Sequence, residues 1–241
     1  MPTRFFIKLL RKTGLTNKFY HILNSVYTPF HGLHPFNQLA LVKSFQKAKE
    51  ENTVGDYYEF GVSLGFSLWF AYQLGKEHFL NEGEDIHFWG FDSFEGFPTP
   101  GDVDKSTSYR GTYFVKGSFA ASLDLVKGNL EKHNADMQKI TLIKGFYEDI
   151  LNDALFEKYN FKKASVVLID CDMYKSTVPV LKFITKFLVK GTIILFDDYY
   201  ITDDTAGQQL AIKEWLSLNK NIRLKEFCEY GVLKGFIVNE I

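Results

Sequence analysis

Cysteine is scarce in this 241-residue sequence. Cys171 and Cys228 are the only two and have no metal-ligand spacing between them, which excludes a disulfide-stapled secreted domain and a cysteine-based zinc module. The six histidines show no ligand spacing either. His21, His31, His34 and His133 read as surface residues, His78 and His87 as flanks of elements, and none as a catalytic base. No apolar run approaches the roughly 20 residues that cross a bilayer. In MPTRFFIKLLRK the apolar stretch is interrupted by Lys8 and is too short for a signal peptide, so a cytoplasmic location is expected. Repeats, low-complexity tracts and linkers are missing, and a chain of this length suits one core.

Acid is missing from one region. Residues 1–49 hold Arg4, Lys8, Arg11, Lys12, Lys18, Lys43, Lys47 and Lys49 and no carboxylate, while the remainder carries 20 basic against 29 acidic residues, a net −9. A basic arm over residues 1–35 is expected, helical from the loose spacing of Phe5, Phe6, Leu9, Leu10 and Phe19. It would pack on the domain or on an acidic partner, and an acidic body with a basic arm invites a homo-oligomer. No nucleic-acid partner is expected.

What is present is a 46% hydrophobic, 17% aromatic chain that alternates two periodicities, which excludes disorder and fibre. After helical spacing over 36–51, strands are predicted at 54–60, 86–92, 139–145, 164–170 and 191–197. Helices are predicted near 64–79, 119–135, 148–159, 175–189 and 205–219. This alternation argues an α/β, doubly wound, mostly parallel sheet with helices on both faces. Segments 222–228 and 232–239 are separated only by a short turn at Gly231. That spacing permits a hairpin and no crossover, so the terminal strand is expected to run antiparallel.

Two greasy runs end in carboxylates: VVLIDCD in Asp170 and Asp172, TIILFDD in Asp197 and Asp198. A charge on a doubly buried strand is expensive, so these belong at the carboxyl ends, where parallel sheets open their binding crevice. Like charges that close need a cation, a shared proton or a set of donors. A hard metal ion is the simplest remedy. In EFGVSLGFS, glycines Gly61 and Gly65 let the chain turn sharply beside a ligand. Their spacing is not the G-x-G-x-x-G dinucleotide fingerprint, which disfavours a nicotinamide enzyme. In HFWGFDSFEGFP, Asp92 ends the next strand, placed to accept from both hydroxyls of a ribose, with Ser93 beside it. In GFYED, Gly145 and Phe146 follow the third strand, and Phe146 is a candidate wall for an adenine face.

The blocks EFGVSLG, FDSFEGFP, LIDCDMYKSTVPVL and LFDDY, in this order from about Val54 to Trp215, resemble the macrocin O-methyltransferase family of S-adenosylmethionine-dependent enzymes. Asp92-Ser93-Phe94-Glu95-Gly96 and Asp197-Asp198-Tyr199 are the most specific pieces. The resemblance implies a Rossmann-like class I methyltransferase domain over 36–241, methylation of a sugar hydroxyl, and a magnesium ion. Carried onto this sequence, it places the cofactor against Glu59, Gly61, Ser63 and Asp92, and the metal on Asp170, Asp197 and Asp198. Two positions depart from the family's pattern: Cys171 stands where glycine is usual, and Lys175 where glutamate is.

Methyl transfer from a sulfonium is an in-line displacement, governed by alignment and exclusion of water. A divalent ion held by carboxylates and chelated by neighbouring hydroxyls of an acceptor would lower the pKa of the attacking one. Asp170 and Asp172 are the candidate catalytic residues, with Asp172 as proton acceptor or holder of the cofactor's amine. Two alternatives remain open at this level. Asp170-Cys171-Asp172 has the D-x-D pattern of metal-dependent glycosyltransferases, and a methyltransferase fold without catalysis is also possible. Residues 97–118 read as a long loop and a candidate lid, with Tyr109, Arg110 and Tyr113 as acceptor contacts. If the arm mediates assembly, deleting residues 1–35 should change the elution mass on size-exclusion chromatography. An unchanged mass would remove that role.

Overall fold

The computed structural model describes residues 35–106, 108–109 and 112–241, with side chains described outside 106–113. The basic arm, apart from Pro35, and the lid residue Arg110 lie outside the described residues. Helix α1 (Pro35–Glu50) precedes strand β1 (Asp56–Phe60), helix α2 (Phe66–His78) and strand β2 (Phe88–Asp92). A two-stranded ladder of β3 (Ser108–Tyr109) and β4 (Thr112–Tyr113) interrupts the expected long loop. Then come α3 (Leu123–Lys132), β5 (Ile140–Lys144), α4 (Tyr147–Ile150), α5 (Asp153–Lys158), β6 (Ala164–Ile169), α6 (Tyr174–Ile184), β7 (Ile193–Phe196), α7 (Gly207–Leu218), β8 (Arg223–Tyr230) and β9 (Leu233–Glu240). Among the described residues no helix is long and apolar enough to cross a membrane.

The main sheet has the order β5-β2-β1-β6-β7-β9-β8. Its first five strands are parallel, and β9 runs antiparallel to both β7 and β8. The expected mostly parallel sheet with an antiparallel terminal strand is what forms. The predicted helix over 148–159 is two short ones. Leu151 ends the first and Asn152 starts the second, its side chain accepting from Ala154 N, a common role for asparagine.

The central strands β1, β6 and β7 are buried along their whole length, as strands covered on both faces must be. Side chains alternate between two cores. Tyr57, Phe88, Val166 and Leu168 pack toward α1 and α2, while Tyr58, Phe60, Phe91 and Ile169 pack toward α6 and α7. This alternation fixes the register, because a one-residue slip would turn each strand's two sets of side chains to the wrong faces.

Glu59 is a charged residue type in the middle of this packing, fully buried on the α2 side of β1. The hydroxyls of Tyr57 and Ser67 donate to its two carboxyl oxygens at 2.6 Å each, so it couples β1 to the first turn of α2. Burial pushes its pKa up to about 8, against the lowering effect of those two hydrogen bonds. The folded protein therefore holds this proton more tightly than the unfolded chain does. The resulting stability is complete below about pH 4.5 and is lost as the pH rises through about 8.

Two outcomes follow from this packing. In denaturant unfolding at pH 5, 6, 7 and 8, Glu59→Gln should show a downward slope shallower than that of the wild type by up to about 1.4 kcal/mol per pH unit. An identical slope in both proteins would place the proton elsewhere. Gly61→Ala should lower stability by at least about 2–3 kcal/mol. Gly61 has φ +96°, and a Cβ there would lie 1.7 Å from the Asp170 carbonyl oxygen.

Candidate active site

The parallel strands end at one level, and the first residue beyond each continues the ladder. Gly61 N donates to Phe91 O at 3.0 Å, Gly145 N to Asp92 O at 2.9 Å, Asp170 N to Phe60 O at 2.8 Å and Asp197 N to Ile169 O at 3.0 Å. The residues that leave the sheet, Gly61, Gly145, Asp170 and Asp197, thus stand in one row with Asp92. They border a cavity of about 270 Å³. The sequence motifs, far apart in the chain, converge because parallel strands present all their carboxyl ends at one edge.

On one side of the row lies the glycine turn. Gly61, Ser63 and Gly65 all have positive φ (96°, 48° and 87°). Asp92 fastens this turn: its Oδ2 accepts from Val62 N at 2.8 Å and Ser63 N at 3.1 Å, while Oδ1 accepts from Phe94 N at 2.8 Å. Oδ2 has both its lone pairs engaged and Oδ1 keeps one free, and the residue faces the cavity together with Gly61, Ser63, Ser93, Gly145 and Phe146. Two expected cofactor contacts are placed differently. Glu59 and Gly65 are not among the lining residues. Glu59 is buried beneath the turn, and Gly65 caps α2 at close quarters to Val126.

On the other side lie the acids. Asp170, Asp172 and Asp198 can each present one carboxylate oxygen, all within 4.8 Å of one another. Asp197 lines the same cavity but is outside that triad. Its carboxylate is hydrogen-bonded to Asn37 of α1 and to Asp170. Of the metal set carried over from the sequence, Asp170 and Asp198 belong to this triad, Asp172 completes it, and Asp197 borders the same cavity. The reason is local. β6 ends at Ile169, and the chain then turns with Asp172 at φ +56° and its N–H donating to Asp198 Oδ2 at 3.1 Å. Simple strand alternation does not apply past that point.

Burial raises every carboxyl of the group, and the mutual repulsion of the acids adds to it for three of them. Asp170 and Asp198 are held well above the usual carboxylate range. Asp172 is pushed up to about 7 by burial and by Asp197. Asp197 reaches about 6, its hydrogen bonds from Asn37 and Asp170 offsetting part of the effect of burial. Lys175 does not relieve this crowding, because its ammonium pairs with Glu148 at 3.1 Å. Three oxygen donors in reach of one point, on a surface where protons or a cation must balance charge, fit a hard divalent ion such as Mg²⁺.

Several supporting residues are not marked by any motif. Gln208, fully buried, accepts from Asp198 N at 3.2 Å and donates to Ile169 O at 3.2 Å, locking the ends of β6 and β7 to α7. Asn37 reaches Asp197 from α1. Asp104, 1% exposed, accepts from Tyr174 N at 2.8 Å and Lys175 N at 3.2 Å and so pins the segment before β3 to the start of α6. A lone amide in a helical pattern carries no signal in sequence, and Asp104 is visible only as one more loop acid. Of the candidate lid, Phe97, Pro98 and Ser118 line the cavity. Tyr109 and Tyr113 belong to the small ladder, and their side chains lie outside the described ones.

Comparison with known proteins agrees with this geometry. The chain is 28% identical over 149 residues to the 8-demethyl-8-(2,3-dimethoxy-alpha-L-rhamnosyl)-tetracenomycin-C 4'-O-methyltransferase of Streptomyces olivaceus, covering 61% of this chain and 54% of that protein. It thus spans about half the length of that curated relative. The calicheamicin methyltransferase CalS11 shares the fold at a TM-score of 0.67 and 22% identity, over 94% of this chain and 92% of that one. The O-methyltransferase NovP does so at 0.68 and 19%, over 85% and 80%. These likenesses give the sheet and its helices the class I methyltransferase fold. The macrocin O-methyltransferase family model matches residues 33–224, which include the ends of all five parallel strands, the glycine turn and the acidic group. The chain belongs to the macrocin O-methyltransferase family.

Proposed function

We propose that this protein transfers a methyl group from S-adenosylmethionine to a hydroxyl of a sugar or glycosylated small molecule, assisted by a divalent cation. One observation carries the reading: the row of strand ends brings a glycine turn fastened by Asp92 and an oxygen-rich triad, Asp170, Asp172 and Asp198, into the same cavity. The first half suits a nucleoside-bearing donor and the second a cation with a polyhydroxy acceptor. Family membership supports methyl transfer. The sugar acceptor is supported by the Streptomyces relative, which acts on a rhamnosyl tetracenomycin, and by CalS11, described also as a TDP-rhamnose 3'-O-methyltransferase.

In this scheme the open backbone at Gly61 to Ser63 lets the donor approach, and Asp92, already held by three amides, offers the remaining lone pair of Oδ1 to a ribose hydroxyl. Ser93 and Gly145 border the same half, and Phe146 offers an apolar face. Asp170, Asp172 and Asp198 would hold the cation, which supplies a Lewis acid that orients two neighbouring hydroxyls and makes the attacking one more acidic. The acceptor oxygen attacks the sulfonium methyl in line. As the carbon–oxygen bond forms, the carbon–sulfur bond breaks, and its electron pair stays on sulfur as S-adenosylhomocysteine. We assign the released proton to Asp197, which borders the triad without belonging to it. Gln208 and Asn37 keep the carboxylates aligned, the main requirement of a displacement whose barrier is lowered by positioning.

Labelled-methyl transfer to a panel of sugars, glycosides and nucleotide-sugars, with and without a chelator, tests reaction, metal and acceptor together. Turnover should appear with an acceptor bearing neighbouring hydroxyls and fall at least about 100-fold with chelator or with Asp198→Asn. Independently of turnover, Mg²⁺ should raise the unfolding temperature of the wild type and not of Asp198→Asn. Consumption of a nucleotide-sugar without methyl transfer would favour the glycosyltransferase use of Asp170 and Asp172. No methyl transfer to any acceptor would sink the enzymatic reading.

A further inference from the structure

Phe119 is anomalous in two ways. Its side chain is 74% exposed, the most exposed aromatic among the described residues, although it borders the cavity. Its backbone has φ +60°, a region that bulky residues avoid at a cost of about 1–2 kcal/mol. Strain of this kind persists where surrounding structure imposes it.

The surroundings do impose it. Phe97 N donates to Ser118 O at 3.0 Å, Gly117 N donates to Phe97 O at 3.0 Å, and Ser118 N donates to Val115 O at 3.0 Å. Gly96 lies so close that a Cβ on it would come within 2.4 Å of Ser118 O. The Phe97 ring meets Phe119 and Phe114 edge-on, each at 5.3 Å between centroids. On the other side Ala121 is buried and Ser122 caps α3 through Leu125 N. Helix α3 is in turn held against the glycine turn, with Val126 and Leu130 beside Gly65 and Asn129 donating to Leu64 O at 3.0 Å. An exposed ring is thus fixed at both ends of its segment.

The position of this segment in the sheet decides what the ring faces. Gly96 and Phe97 follow β2, and α3 packs on the turn after β1. Both anchors belong to the half of the cavity fastened by Asp92, away from the acids that follow β6 and β7. Phe146, after β5, borders that half from the neighbouring strand, which is linked to β2 through Gly145 N and Asp92 O. We propose that Phe119 is a donor-binding residue, a preformed apolar face that stacks on the purine of the methyl donor with Phe146 as the second wall. This inference rests on the donor-binding reading above and adds the residue that grips the base. Stacking of a base on an aromatic side chain needs no hydrogen bonds, and a segment whose backbone is already held at both ends loses little freedom on binding.

The experiment is calorimetric titration of S-adenosylhomocysteine into the full-length wild type and into Phe119→Ala, Phe119→Gly and Phe119→Trp, paired with thermal unfolding of each. The alanine and glycine variants should bind at least about tenfold more weakly. The glycine variant should unfold at the same or a higher temperature, since glycine accepts φ +60° without strain. Phe119→Trp should keep near wild-type affinity and add an indole fluorescence change on titration beyond that of Trp69, Trp89 and Trp215 in the wild type. Wild-type affinity in Phe119→Gly, or an effect confined to the KM of the sugar acceptor, would overturn the assignment. So would an affinity loss explained by an equal loss of folding. A wild type that does not bind S-adenosylhomocysteine would bring down the donor-binding reading itself, an outcome separable from the variant result.

Discussion

Repulsion among the carboxyls at the ends of β6 and β7 is the constraint to which much of this structure answers. Asp170, Asp172, Asp197 and Asp198 are raised by burial, and each of them except Asp197 by its neighbours' charges as well. A fold that gathers such groups must hold them against one another, and the holding is done from several directions. Gln208 ties the strand ends to α7, Asn37 reaches in from α1, and the Asp172 amide donates to Asp198. The sole lysine among the lining residues is directed to Glu148 rather than to the acids. The cluster is left to be neutralised from the cavity, by protons or by a cation.

The other half of the cavity solves a different problem with the same strand edge. The chain must leave β1, turn and enter α2 while staying open to a ligand. Gly61 is forced by the Asp170 carbonyl that lies almost where its side chain would be. Asp92 then binds the turn through backbone amides, so the residue that would hold a ribose also shapes the loop around it. Structure and binding are not separate functions at this position. The same holds for Glu59, which supports the turn from below through Tyr57 and Ser67 without reaching the cavity.

Much of the fold was legible because its signals are local. Apolar runs such as VVLI mark strands buried on both faces, and the short Gly231 turn allows only a hairpin. The site was partly legible for a topological reason: acids and glycines at strand ends must meet if the strands are parallel and adjacent. The division of labour within the cluster was not legible. It depends on how the chain turns after Ile169, where Asp172 adopts positive φ and comes together with Asp170 and Asp198.

The sequence by itself determined the α/β plan and the presence of a glycine turn, Asp92 and four carboxylates around one crevice, since each follows from periodicity or from residues at element ends, while the family followed from the resemblance of its four motif blocks. Only the tertiary structure decided which acids converge, that Glu59 is a buried support, that Gln208, Asn37 and Asp104 brace the site, and that Phe119 stands exposed at its rim. The physical reason is that these facts rest on contacts between residues distant in the chain. A side chain's neighbours across such distances are set by packing of whole elements, and no local pattern records them.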